Sequence, residues 1–289
     1  MTSARRASRP ASIRGGAGLP EIPRRRSGIR RPPHTRLRAA LAAALAGLLV
    51  GALVGCSSPT TKGADDGSAR VSDFPAIAFD ETRITEDEYT QAMRAQRTAA
   101  VSHFSRAYGI TLGTERKQWA ADHDGENACA WLARNIIDTL LSRHAVYRIA
   151  ARAGLVDDDS YDGVVARMDA LNAANEQTVR EGGIVYGRSS FDIGAYLDYE
   201  ATALRNAYMG DESNPGMTLD DQDVQDYYDA HDWTVDGVDG KAPLDEVRGN
   251  VKAQMRAERY AAIVADEAAT IDEDVPWDEL VAYTLDRIG

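Results

Sequence analysis

Two cysteines are the only thiols in this chain, Cys56 and Cys129, and they sit in opposite surroundings. Cys56 closes an uncharged apolar run and follows Leu53-Val54-Gly55. A thiol after a small residue and two aliphatics suits acylation by an enzyme that reads an extended apolar peptide. Cys129 lies beside Trp131 and Leu132 in a helical pattern. Its chemistry is that of a small buried hydrophobe rather than a nucleophile. A second group of candidates is acidic. Asp158, Ser160 and Asp162, with Asp169 at the twelfth position, fit a relaxed calcium-loop spacing. The twelfth position is Asp, where that loop requires a bidentate Glu, and acids at a helix start also complement its dipole. Helix capping is therefore the favoured reading, and the expectation is no metal and no cofactor. Asp122-His123-Asp124 places three ligand types together with no distant fourth. His103 and His144 read as satisfied helix histidines. There is no nucleophile elbow, zinc spacing or phosphate-binding glycine loop, and no catalytic residue is assigned.

The segment before Cys56 explains its setting. Residues 1–38 hold eleven arginines and one acid, and residues 39–55 carry no charge. A basic stretch followed by an apolar one is the pattern of a secretory signal. Leu53-Val54-Gly55-Cys56 resembles the bacterial lipobox, in which the cysteine sulfur receives a diacylglyceryl group and the preceding peptide bond is cut. The resemblance implies a lipoprotein, further acylated with chains such as palmitate. It would be anchored to the cell membrane by covalent lipid and would work on the extracytoplasmic face. The alternative is an uncleaved membrane anchor, although seventeen residues fall short of the roughly 20 that span a bilayer. Arg30-Arg31 hints at twin-arginine export, but Pro32-Pro33 follows, so Sec and Tat routes both stay open.

Composition narrows the partners. The whole chain has a formal charge of −12, and without residues 1–55 it carries 22 basic against 44 acidic side chains, or −22. Such a surface repels nucleic acid and anionic headgroups. Residues 56–75 are small and polar and read as a flexible tether. Residues 76–289 are long enough to bury a core, with an N-terminal part at 76–212 and C-terminal helices at 213–289.

The body reads as mainly α. Residues 76–84 suit a short strand and turn. Thr85 then N-caps a helix with Tyr89, Ala92, Met93, Ala100 and Phe104 on one face, ending near Gly109. A loop through Gly113 and Asp122 to Gly125 leads to a helix carrying Trp131, Leu132, Ile136, Ile137, Leu140 and Tyr147, closed by Gly154. Ser160 starts the next helix, which ends before Gly182-Gly183. Ile184-Val185-Tyr186-Gly187 reads as an extended link. Ser190 is expected to cap a helix with Leu197, Leu204 and Tyr208. Thr218 and Asp221 suggest a capping box for the helix with Val224, Tyr227 and Tyr228. Pro243 and Pro276 open the last two helices.

This order of elements resembles the chaperone module of the SurA/PrsA-type extracytoplasmic foldases between Ala76 and about Ala268. The carrying segments are Ile84-Thr85-Glu86-Asp87-Glu88-Tyr89, the Ile149–Leu155 helix end, Asp157–Tyr161, Ile184–Leu197, Leu219–Asp229 and Pro243–Arg248. Many members carry a parvulin-type prolyl isomerase domain between the last two. Here only Trp233 to Lys241 lie between them, an ordinary connection. The resemblance therefore implies an elongated, multi-helix holdase for unfolded exported polypeptides, without isomerase catalysis. Trp131, Tyr147, Tyr196, Tyr208, Tyr227 and Tyr228 are the candidate client-binding residues, each also readable as core. An adaptor lipoprotein binding one folded envelope partner is the alternative, and a residual prolyl isomerase the outsider.

Overall fold

The computed structural model describes residues 73–234 and 240–288. The lipobox residues Leu53, Val54, Gly55 and Cys56 lie outside the described residues, as does the expected tether up to residue 72. The architecture is mainly α, as expected, with eight helices and five two-residue strands among the described residues.

The chain enters through a hairpin of β1 (Ala78–Phe79) and β2 (Thr82–Arg83), with Ala78 opposite Arg83. Asp80 turns the hairpin at φ 50, a left-handed angle that Asp tolerates. Thr85 then caps α1 (Glu86–Tyr108), its side chain accepting from the Glu88 N–H at 3.2 Å. Glu86, Asp87 and Glu88 fill the first turn, where negative charge complements the helix dipole. Gly109 ends α1 at φ 68.

The loop expected next holds more structure than its composition suggests. It contains α2 (Arg116–Ala120) and an antiparallel pair, β3 (Asp122–His123) and β4 (Glu126–Asn127). Asp124 at φ 54 and Gly125 at φ 87 make the two-residue turn that joins the pair. Asp122 is occupied within it, its Oδ1 accepting from the Gly125 N–H at 3.0 Å.

Asn127 caps α3 (Ala128–Arg152), the helix that most others pack against. Its end is a Schellman motif: the Leu155 N–H donates to the Ala150 carbonyl and the Gly154 N–H to that of Ala151, both at 2.9 Å. Ser160 caps α4 (Tyr161–Arg180), and Asp192, rather than Ser190, caps α5 (Ile193–Gly210) by accepting from the Ala195 N–H. Asp220 caps α6 (Asp221–Ala230), so the expected Thr218 capping box does not form. The Thr218 hydroxyl donates instead to the Glu212 carbonyl at 2.8 Å. Pro243 and Pro276 stand at the N-caps of α7 (Leu244–Ala268) and α8 (Trp277–Asp286).

Between those last helices, β5 (Glu273–Asp274) returns to pair with β1, placing β1 between β2 and β5. The main core lies under this small sheet and between α1, α3 and α8. Phe79, Tyr89, Phe104, Trp119, Leu132, Ile136, Ile137, Leu140 and Tyr283 are enclosed there. A second cluster, with Tyr147, Val164, Tyr196, Leu197 and Leu204, joins α3, α4 and α5. A third, with Ile149, Tyr208, Met217 and Tyr260, joins α3, α5 and α7.

Candidate client-contact surface

The six aromatic candidates divide into two groups. Tyr147, Tyr196 and Tyr208 are 3–5% exposed and present almost no surface to a partner. Tyr147 and Tyr196 donate to opposite oxygens of Glu200, at 2.9 and 3.0 Å. Arg167 donates to the same carboxylate through Nε at 2.7 Å and Nη2 at 3.1 Å. Four hydrogen bonds thus satisfy a nearly buried charge and tie α3, α4 and α5 together. Burial, then the bond to Glu200, pushes the Tyr196 phenol up to about 12. Burial and the Glu200 charge raise that of Tyr147 as well, so both stay protonated and donate. Tyr208 packs on Tyr260 with ring centroids 5.4 Å apart.

Trp131, Tyr227 and Tyr228 are half-buried. Trp131 stacks on His103 at 4.6 Å, and the His103 ring meets Glu126 at 2.7 Å. Tyr227 stacks on His231 and donates to Glu258 at 2.5 Å, while Tyr228 donates to the Ala242 carbonyl and lies under the Lys241 ammonium. Each keeps one free edge at most, and no element brings these three to one place.

The exposed apolar side chains are elsewhere. Tyr186 is 92% exposed, Ile184 73%, Val179 55% and Tyr199 50%, and all four belong to the end of α4, the link and the start of α5. The local sequence explains why. Gly182 leaves α4 at φ 78, and the Gly183 N–H donates back to the Thr178 carbonyl at 2.8 Å. A Cβ on Gly183 would meet the Thr178 side chain at 2.8 Å, so this exit requires glycine. Gly187 turns the chain again at φ 97. Asn172 on α4 then clamps Phe191, accepting from its N–H at 2.8 Å and donating to its carbonyl at 2.9 Å. Phe191 stacks toward Tyr199 at 5.0 Å. Ile184, Val185 and Tyr186, held between these fixed points, make no hydrogen bond with the described residues. They offer β-prone apolar side chains beside unpaired backbone N–H and C=O groups, the two things an extended polypeptide can use.

Sequence reasoning treats this segment as a connection and misses it as a surface. The signal is present, because three apolar residues off any helical period stand between Gly182-Gly183 and Gly187.

The chemical candidates resolve as structural groups. Asp158 Oδ1 accepts from the Ser160 N–H at 2.9 Å, and the bonds from Ser160 hold its carboxyl below the usual range. A Cβ on Gly163 would meet the Asp158 side chain at 2.6 Å, so that carboxylate folds over the helix start. Asp162 and Asp169 are exposed, and no group of three metal-ligating side chains occurs among the described residues. His144 meets the buried Glu88 at 2.9 Å. Burial pushes the Cys129 thiol up to about 12, which keeps it protonated and unreactive. No described helix is long and apolar enough to cross a membrane.

No family profile matches the chain, and no solved structure does. A protein of Bifidobacterium longum subsp. longum named "Chaperone for lacto-N-biosidase" is 54% identical over 217 residues, covering 75% of this chain and 77% of the relative. The chain belongs to that chaperone's family. At 54% identity over three quarters of both chains, the family shares the fold described here and not a local motif alone. By length the match takes in more than the described residues 73–234.

Proposed function

We propose that this chain is a chaperone that acts by binding and not by catalysis, for an exported glycosidase of the lacto-N-biosidase kind. The observation that carries this reading is the 54% identity to a protein named as a chaperone for that enzyme. The resemblance of the helix order to the SurA/PrsA-type holdase module supports it, as does the short 234–241 connection where an isomerase domain would stand. The lipobox-like Leu53-Val54-Gly55-Cys56 supports a lipid anchor and work on the extracytoplasmic face, where an exported enzyme emerges unfolded.

The α4–α5 tip is the surface that grips the client. An incompletely folded chain exposes apolar side chains and unpaired strand edges. Ile184 and Tyr186 cover the first, each contributing about 1.5–3 kcal/mol if fully buried on contact. The unpaired backbone of residues 184–186 meets the second. Contacts of this size hold a client and release it as its own core closes. The strongly acidic body keeps the complex in solution.

Co-production tests the reading. Lacto-N-biosidase from Bifidobacterium longum made alongside this chain should yield at least ten-fold more soluble activity than without it. An unrelated aggregation-prone enzyme should gain little. No gain for the glycosidase refutes the client assignment, and equal gain for both enzymes favours a general holdase of the SurA/PrsA type. Intact mass of the mature protein reads the acylation of Cys56 directly.

A further inference from the structure

One concavity lies apart from the tip. α1, α3 and the residues that end α8 enclose a cavity of about 320 Å³. Its apolar lining is Met93, Leu132 and Ile288, all buried. Around that lining stand three arginines, Arg94 and Arg97 from successive turns of α1 and Arg287 after α8. Their convergence is unusual in a body with twice as many acids as bases. Most arginines here are paired with carboxylates, including Arg116, Arg148, Arg152, Arg167, Arg256 and Arg259. Arg94 has no ion pair or hydrogen bond with any described residue. Arg97 makes one contact, over the Trp119 ring at 5.8 Å. Arg287 stacks on Tyr283 at 4.0 Å and gives Nη2 to Glu86 at 2.8 Å, but its Nη1 is buried with no acceptor. A buried guanidinium donor without a partner is costly, and an anion relieves that cost.

We infer that this cavity binds a carboxylate carried on an apolar body, as at the end of a polypeptide that finishes in an aliphatic residue. Charge complementarity selects the head, because planar guanidinium groups match a carboxylate in two-point contact. The apolar lining selects the side chain attached to that head. The volume lies at the lower end of ligand pockets, enough for one side chain and its carboxylate. The excess of acid over the rest of the body repels an extended anionic surface such as a phospholipid bilayer and admits a single anion small enough to enter. This site does not depend on the chaperone reading and stands or falls separately.

Calorimetric titration of the full chain tests it with three peptides. They are acetyl-Ala-Ala-Leu with a free carboxylate, the same peptide as its amide, and a capped peptide with one internal Glu between leucines. The free acid should bind at least ten-fold more tightly than the amide, and rising salt should weaken it. R94Q/R97Q should cost the free acid at least ten-fold while leaving the melting temperature unchanged, since both side chains reach solvent. Competition by the internal Glu peptide assigns the carboxylate to a side chain, and its failure to compete assigns it to a chain end. Both results support the site. Equal binding of acid and amide overturns it, as does unchanged binding by R94Q/R97Q. Binding to phosphatidylglycerol vesicles but to neither acidic peptide also overturns it.

Discussion

The α1–α3–α8 core and the α4–α5 tip are built from the same kinds of residue and use them in opposite ways. In the core every large apolar side chain on the helical stripe is covered. Leu132, Ile136, Ile137 and Leu140 are fully enclosed, and even the Tyr89 hydroxyl finds Thr284 Oγ1 at 2.6 Å. At the tip, Ile184 and Tyr186 are left outside by glycines that fix the backbone and not the side chains. The difference teaches where a helical protein of this sort keeps its adhesive surface. Aromatics that obey the helical period are consumed by packing. Those that fall off the period, in a link held at both ends, remain available.

Three experiments sharpen that contrast, beginning with the largest effect. Glu200→Ala removes the acceptor of four hydrogen bonds and leaves Arg167 facing two buried phenols. It should cost about 3–5 kcal/mol of stability in chemical denaturation. A loss below about 1 kcal/mol would mean that the second cluster, not this carboxylate, ties α4 and α5 to α3.

The next effect is smaller and depends on pH. Hydrogen bonding from Arg152 holds the Glu267 carboxyl below its ordinary 4.5. A depressed carboxylate stabilises the fold above its unfolded pKa and loses that contribution as pH falls through the lower folded value. Arg152 is more than half exposed, so solvent screening limits the pair to about 0–1 kcal/mol. Arg152→Gln should therefore melt slightly lower at pH 7, and the gap should close as the solution is acidified below 4.5. A gap that widens on acidification would reverse the assignment.

The smallest effect on stability should accompany a large one on function. Ile184→Ser with Tyr186→Ser touches residues that contact little, so stability should stay within about 0.5 kcal/mol. Rescue of the glycosidase should nevertheless fall at least five-fold. If wild type rescues and the double variant rescues equally, the tip is not the gripping surface, although the chaperone reading survives.

Much of the scaffold is legible before any coordinates. Thr85, Ser160 and Pro276 stand at the expected helix starts, and Gly109, Gly154 and Gly182 at the expected ends. These signals are local, carried by a side chain and the backbone within a turn. The failures have physical causes. Ser190 loses the cap to Asp192 because Asn172 holds Phe191 and so fixes where the chain can turn inward. The Thr218 hydroxyl is drawn to Glu212 and leaves α6 to Asp220. α2 is too short to show a period, and the β3–β4 pair is marked by nothing longer than Asp124-Gly125. The pairing of β5 with β1 joins residues far apart in sequence, and no local pattern announces it. Of the candidate surface, its aromatic composition is readable, but which tyrosines face outward depends on how α3, α4 and α5 meet around Glu200.

The clasp between the two ends of the body has a consequence for biogenesis. The Asp80 N–H donates to the Asp272 carbonyl at 2.7 Å, and Asp80 Oδ1 accepts from the Asp272 N–H at 2.9 Å. Ile77 and Phe79 are enclosed beneath this join, against Tyr283 and its neighbours. Contacts between such distant positions form late, because a long loop must close first. The earliest hydrophobic residues of the body cannot be sealed until its final helix has been delivered. A protein that shelters others through this stage must pass through it unsheltered itself.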